Sequence, residues 1–134
     1  MSEFVTDTHP LIWYLTKDKR LSAACLEIFQ KTDTGEHTLW IPAIVLVEVQ
    51  YLVERSRFPQ ELLAQVFSLL LPPTINYRLF PLDLSVIRAL VQVSADVVPE
   101  MPDRLIAATA VAANAPLLSR DHKITAVSNL TVIW

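Results

Sequence analysis

The chain has 134 residues, 14 Asp and Glu against 11 Lys and Arg, a net charge of −3 and 52% hydrophobic residues, enough for one domain, residues 1–134, with a single sizeable core. Mean hydropathy is +0.38, yet charges or prolines interrupt every apolar run before the roughly 20 residues of a membrane span, and no basic segment leads into an apolar one near residue 1, so a cytoplasmic protein without membrane association is expected. The one cysteine, Cys25, excludes an intrachain disulfide and a multi-cysteine zinc site, and the acidic balance excludes a broad basic face that grips nucleic acid through phosphates alone.

Residues 3–6 predict a short strand ending at Asp7, and residues 10–15 a helix with Thr8 as its cap and Pro10 in its first turn. Ser22 is expected to cap a helix over 23–32, followed by a turn at Gly35. Residues 38–41 predict a second strand, and Pro42 opens a helix that contains IVLVEVQYLV. A helix starting near Pro59 has apolar residues at 62, 63, 66, 67 and 70 and stops at Pro72 and Pro73. A third strand over 77–81, a helix capped by Asp83 or Ser85, and a loop over 98–102 come next. The last third predicts a helix over 103–113, a strand PLLS, a turn of helix over 122–126 and a final strand TVIW. Strands interleaved with helices imply an α/β fold, a mostly parallel sheet covered on both faces. In such sheets ligands collect beyond the carboxyl ends of the strands.

Four carboxylates stand out against that layout. Asp7 follows FVT and Asp121 follows PLLSR, each at a strand's carboxyl end; helix capping or a turn is the simplest role for either. Asp103 lies in the first turn of PDRLIAATAVAANA, where the helix dipole favours an acid, but it shares the apolar side with Ile106 and Ala107. Glu48 has no such local explanation. It sits mid-helix with Ile44, Val45, Tyr51 and Leu52 at helical spacing, which puts it on a buried face. An ionised carboxylate there costs several kcal/mol unless it is neutralised, paired or bound to a cation; a buried Arg partner or a rotated helix would answer the question, as would a metal.

Gathering several carboxylates needs a counter-charge, because each raises the pKa of its neighbours. Oxygen donors without a His or Cys cluster suit Mg²⁺ or Mn²⁺ and disfavour zinc. A metal-bound water of lowered pKa can attack a phosphodiester. With four acids neutralised at such a site, ten remain against the 11 Lys and Arg, so the rest of the surface would not repel a polyanion.

The segments VTDTHPLIWYL, IPAIVLVEVQYLVE, PEMPDRLIAATAVAANAPLLSRDHKI and TVIW, in that order over nearly the whole chain, together resemble the PIN-domain nucleases, and most closely the VapC-like toxins of bacterial toxin–antitoxin pairs. The resemblance implies a compact, PIN-like three-layer α/β/α sandwich and a metal-dependent endoribonuclease that hydrolyses RNA. Its acids would be Asp7, Glu48, Asp103 and Asp121, holding one or two Mg²⁺ or Mn²⁺ ions, and Ser119 would orient a carboxylate or water. It further implies a homodimer and a cognate antitoxin that blocks the site. Asn114 stands where similar chains often have Gly, which Asn replaces because it also enters the left-handed conformation.

His9, Arg104 and Arg120 adjoin these acids and are candidate substrate contacts, with structural or surface roles as their alternatives. Trp13, Tyr14 and Trp40 are expected in the core or an interface, since no basic residue interleaves with them. Two other readings exist: a non-catalytic PIN-type domain that binds RNA or a partner, and a receiver-like phosphoacceptor, which lacks here the paired acids after the first strand and the Lys after the last.

Overall fold

The computed structural model describes residues 2–134. Five strands, β1 (Ser2–Thr6), β2 (His37–Pro42), β3 (Tyr77–Phe80), β4 (Leu117–Leu118) and β5 (Val132–Ile133), form one parallel sheet in the order β3-β2-β1-β4-β5. Between them lie the helices α1 (Thr8–Leu15), α2 (Ala23–Asp33), α3 (Ala43–Glu54), α4 (Glu61–Leu70), α5 (Leu84–Ala89) with a 3₁₀ turn at Leu90–Gln92, α6 (Met101–Ala113) and α7 (His122–Thr125). The α/β class and the parallel sheet expected from the sequence are therefore observed.

The connections explain the layers. The chain runs outward from β1 to β2 and β3, then returns past both to add β4 and β5 on the other side of β1. Right-handed crossovers in opposite directions place their helices on opposite faces: α2 packs on β2 and α4 on β3, whereas α6 packs on β1 and carries α5. Val5, Leu39, Ile41, Leu117 and Leu118 in the strands are buried between Phe29, Val45 and Ile106 of the helices. In α6, Ala107, Ala108 and Ala110 are all buried, so a run of small side chains with high helix propensity lets this helix lie close to the sheet.

Several boundaries differ from expectation. The cap of α1 is Asp7, whose carboxylate accepts from the Thr8 N–H; Thr8 is the first helical residue, because the shorter link from strand to helix leaves the acid itself at the cap. Helix α6 begins at Met101 with Pro102 in its first turn, where a missing N–H costs nothing, so the loop ends at Glu100. Strands β4 and β5 have two paired residues each, since they pair only along the short stretch where they lie beside β1 and each other. Asn114 does adopt the left-handed conformation, φ 51° and ψ 47°, and its N–H closes the end of α6.

Candidate active site

The order of strands reverses between β1 and β4, and a parallel sheet opens a crevice at such a point. The Asp7 N–H donates to the Leu118 carbonyl at 2.9 Å, so the chain leaving β1 and the chain leaving β4 stay side by side as they emerge. Asp7 comes from the first and Ser119 and Asp121 from the second. Helix α3 leaves β2 directly and brings Glu48 over the same edge, and the first turn of α6 supplies Asp103. Together with Thr8, His9, Trp13, Arg20 and Arg120 the four acids line a cleft of about 390 Å³.

Asp7 is 9% exposed and both its oxygens are engaged. Oδ1 accepts from the Thr8 N–H and Oδ2 from the Ser119 hydroxyl, each at 2.7 Å. Burial pushes its pKa up, against the pull of the Ser119 and Thr8 bonds and the nearby His9; Asp121 adds to the rise. Ser119 is 1% exposed and its oxygen also accepts the Asp121 N–H at 3.1 Å. Asp121 caps α7, its Oδ1 taking the Lys123 N–H at 2.9 Å. A single hydroxyl thus ties the two strand-end acids together.

Among the described residues Glu48 has no arginine partner. Its Oε1 accepts from the Thr8 hydroxyl at 2.6 Å, and its pKa is raised by burial first and by the Asp7 charge, with Thr8 and His9 opposing. The expected burial is only partial: α3 is buried along Val45 and Val49, Tyr51 is 55% exposed, and Glu48 lies at the border between these sides. Asp103 is half-buried, and burial together with Asp7, Asp121, Glu48 and Glu100 lifts its pKa to about 7. Among the described residues no Lys, Arg or His forms a salt bridge with any of the four acids. Nor do three or more Asp, Glu, His or Cys side chains among them stand close enough together to hold a metal ion between them.

The remaining candidates separate. His9 is exposed on the cleft with its ring 5.6 Å from that of Trp13. Arg120 lines the cleft, its guanidinium over the Trp13 ring. Arg104 does not reach it: Nε and Nη2 donate to the carbonyls of Val93 and Leu90 at 2.8 and 3.0 Å, because consecutive helical residues diverge by about 100° and Arg104 faces the end of α5 where Asp103 faces the cleft. Trp13 does have basic companions, Arg20 seven residues on and Arg120 from the far end of the chain both lying against its ring. Thr8, which the sequence suggested only as a cap, serves Asp7 with its N–H and Glu48 with its hydroxyl; a hydroxyl residue directly after a strand-end acid was the available signal.

The model of the PIN domain matches residues 4–130. No curated protein sequence matches the chain. Among solved structures, VapBC2 from Rickettsia felis bound to a promoter DNA fragment is similar at 18% identity and a TM-score of 0.74, covering 98% of this chain and 97% of that one. DNA-bound VapBC from Salmonella typhimurium is similar at 20% identity and 0.72, covering 99% and 98%, and a toxin–antitoxin complex from Klebsiella pneumoniae at 18% and 0.63, covering 100% and 97%. At these identities the likeness is one of fold. With four acids at the switch point of a parallel sheet and a family match over almost its entire length, the chain belongs to the PIN domain family.

Proposed function

We propose that the protein is a divalent-cation-dependent endoribonuclease of the VapC-like toxin type. The observation that carries this reading is the set of four carboxylates around one cleft, none of them in a salt bridge among the described residues and one of them lifted to about 7. A counter-charge relieves the mutual repulsion of such a group at neutral pH, and hard oxygen donors fit Mg²⁺ or Mn²⁺. A Mg²⁺ ion is commonly held by one or two carboxylates and keeps several of its waters, so this reading does not call for a closed cage of protein donors.

Asp7, Glu48, Asp103 and Asp121 would hold one or two such ions. When bound, the ion supplies a water of lowered pKa and positive charge against the phosphate oxygens. Ser119 fixes the Asp7 carboxylate, Thr8 fixes that of Glu48, and the RNA backbone is excluded from an unscreened cleft until the acids are neutralised.

Partners follow from the same reading: a homodimer and a small cognate antitoxin. Exposed apolar side chains support them, with Leu84, Ile87 and Val91 at 66, 51 and 84% exposure along α5 and its 3₁₀ turn, and an apolar groove of about 570 Å³ between α1 and α2 that includes Tyr14, Leu21 and Leu26. Among the described residues no helix is long and apolar enough to cross a membrane.

The deciding experiment incubates purified protein with RNA in Mg²⁺ or Mn²⁺ and in EDTA, then repeats it with Asp7→Asn and Asp103→Asn. Cleavage should require the metal and both acids. Cleavage that survives EDTA or both substitutions contradicts the assignment, and RNA binding with no cleavage under any condition supports a non-catalytic PIN domain instead.

A further inference from the structure

Arg120 shares its cleft with four carboxylates and pairs with none. Its guanidinium carbon lies 4.7 Å from the ring centroid of Trp13 and 5.9 Å from that of Trp134. Among the described residues no salt bridge engages it. Opposite charges in one pocket attract, so an arginine that merely neutralised the acids would lie on them. Two aromatic faces hold this one apart through cation–π contact, which leaves the carboxylates free for a cation and the planar fork of N–H donors free for an anion.

Arg20 differs, although it too lies over Trp13, at 5.0 Å. Its Nε and Nη2 donate to the two oxygens of Asp18 at 3.0 and 2.7 Å, so its charge is already matched. The two tryptophans differ as well. Trp13 is 3% exposed, with an indole N–H that has no hydrogen-bond partner among the described residues, and acts as the seat; Trp134 is 38% exposed and meets Trp13 edge-on at 5.8 Å, which leaves part of its ring open.

Building on the ribonuclease reading, we propose that Arg120 and Trp134 form a nucleotide subsite beside the acids, which takes a phosphate on the guanidinium and the adjoining base on the open indole face. Stacking on an aromatic side chain needs a base whose own face is free. Paired bases in an A-form duplex have no such face, so the substrate class is an unpaired strand or loop. The subsite carries no base-edge readout and selects for strandedness rather than for sequence.

The test reads binding apart from cleavage. In the Asp103→Asn protein, the affinity for a short fluorescent single-stranded oligoribonucleotide and for the same strand in a perfect duplex is measured by anisotropy at fixed ionic strength. The single strand should bind more tightly. Arg120→Ala and Trp134→Ala should each weaken it about tenfold, Trp134→Phe should keep most of the affinity, and Arg20→Ala should cost clearly less than Arg120→Ala. Both altered side chains are at the surface, and a circular dichroism melt matching that of the parent confirms the fold. Affinity unchanged in both alanine variants, equal losses at Arg20 and Arg120, or equal binding of duplex and single strand overturns the subsite. Cleavage by the wild type combined with unaltered affinity in the variants removes the subsite and leaves the nuclease standing; affinity that depends on both residues in a protein that never cleaves does the reverse.

Discussion

The hydroxyl of Ser119 donates to Oδ2 of Asp7 at 2.7 Å across a sequence separation of 112 residues, and the same oxygen accepts the Asp121 N–H. It is the point at which the two halves of the acid cluster are fastened. Ser119→Ala leaves a buried carboxylate oxygen without its donor, which costs about 1–3 kcal/mol. We expect a corresponding drop in the urea midpoint at pH 7 and a loss of RNA cleavage, with Ser119→Thr recovering part of both. An unchanged midpoint would show that this bond contributes nothing.

The raised acid has a definite pH signature. The Asp103 carboxyl has a pKa of about 7 when folded against an ordinary value of 3.8, so the folded state binds the extra proton between those values. Stability of the metal-free protein therefore falls as pH rises through that window and levels off above it. After allowance for solvent screening at a half-exposed site the loss is about 1 kcal/mol. Asp103→Asn should be the more stable protein at pH 8 in EDTA and should show a flatter profile; chemical denaturation at several pH values decides it.

A dication that satisfies the acids binds only the folded chain and stabilises it by mass action, by about 2.7 kcal/mol at a hundredfold excess over its dissociation constant. Thermal denaturation in Mg²⁺ or Mn²⁺ should lie above that in EDTA at pH 8, and the gap should shrink in both Asp7→Asn and Asp103→Asn. Identical melting with and without metal would leave the acids without their proposed counter-charge.

Thr8 is the sole hydrogen-bond donor to Glu48 among the described residues. Thr8→Val keeps the shape and removes the hydroxyl, so the Glu48 pKa should climb further, the fold should lose about 1 kcal/mol, and metal affinity should weaken; Thr8→Ser should restore it. Isothermal titration with Mn²⁺ separates the outcomes.

Away from the cleft, Asn114 holds the left-handed position that ends α6. Asn114→Ala should cost about 1 kcal/mol and Asn114→Gly should not, since only the former forces a Cβ into that conformation without a compensating side chain. RNA cleavage should be unaffected by either, which separates backbone strain from chemistry in a denaturant titration paired with an activity assay.

What the sequence revealed depended on the range of the forces involved. Asp7 and Asp121 were legible because a strand delivers the first few residues after it to the sheet edge whatever the rest of the chain does. Glu48 was legible as an anomaly, but its helix face was misjudged: apolar spacing cannot tell the core from an exposed apolar surface, and Tyr51 belongs to the latter. Arg104 looked like a site residue through adjacency alone, which in a helix turns a neighbour away. The placement of Arg120 on Trp13 and Trp134 was invisible, because segments distant along the chain create it and no periodicity records such a contact.

Strand β4 is laid down after every other strand but one, and it supplies the partner that fastens Asp7. A nascent chain on the ribosome holds Asp7 and Glu48 long before Ser119 and Asp121 have been made. The cleft is therefore assembled only once β4 has been made, and a polypeptide cut short before β4 has an unfinished sheet and an incomplete set of acids.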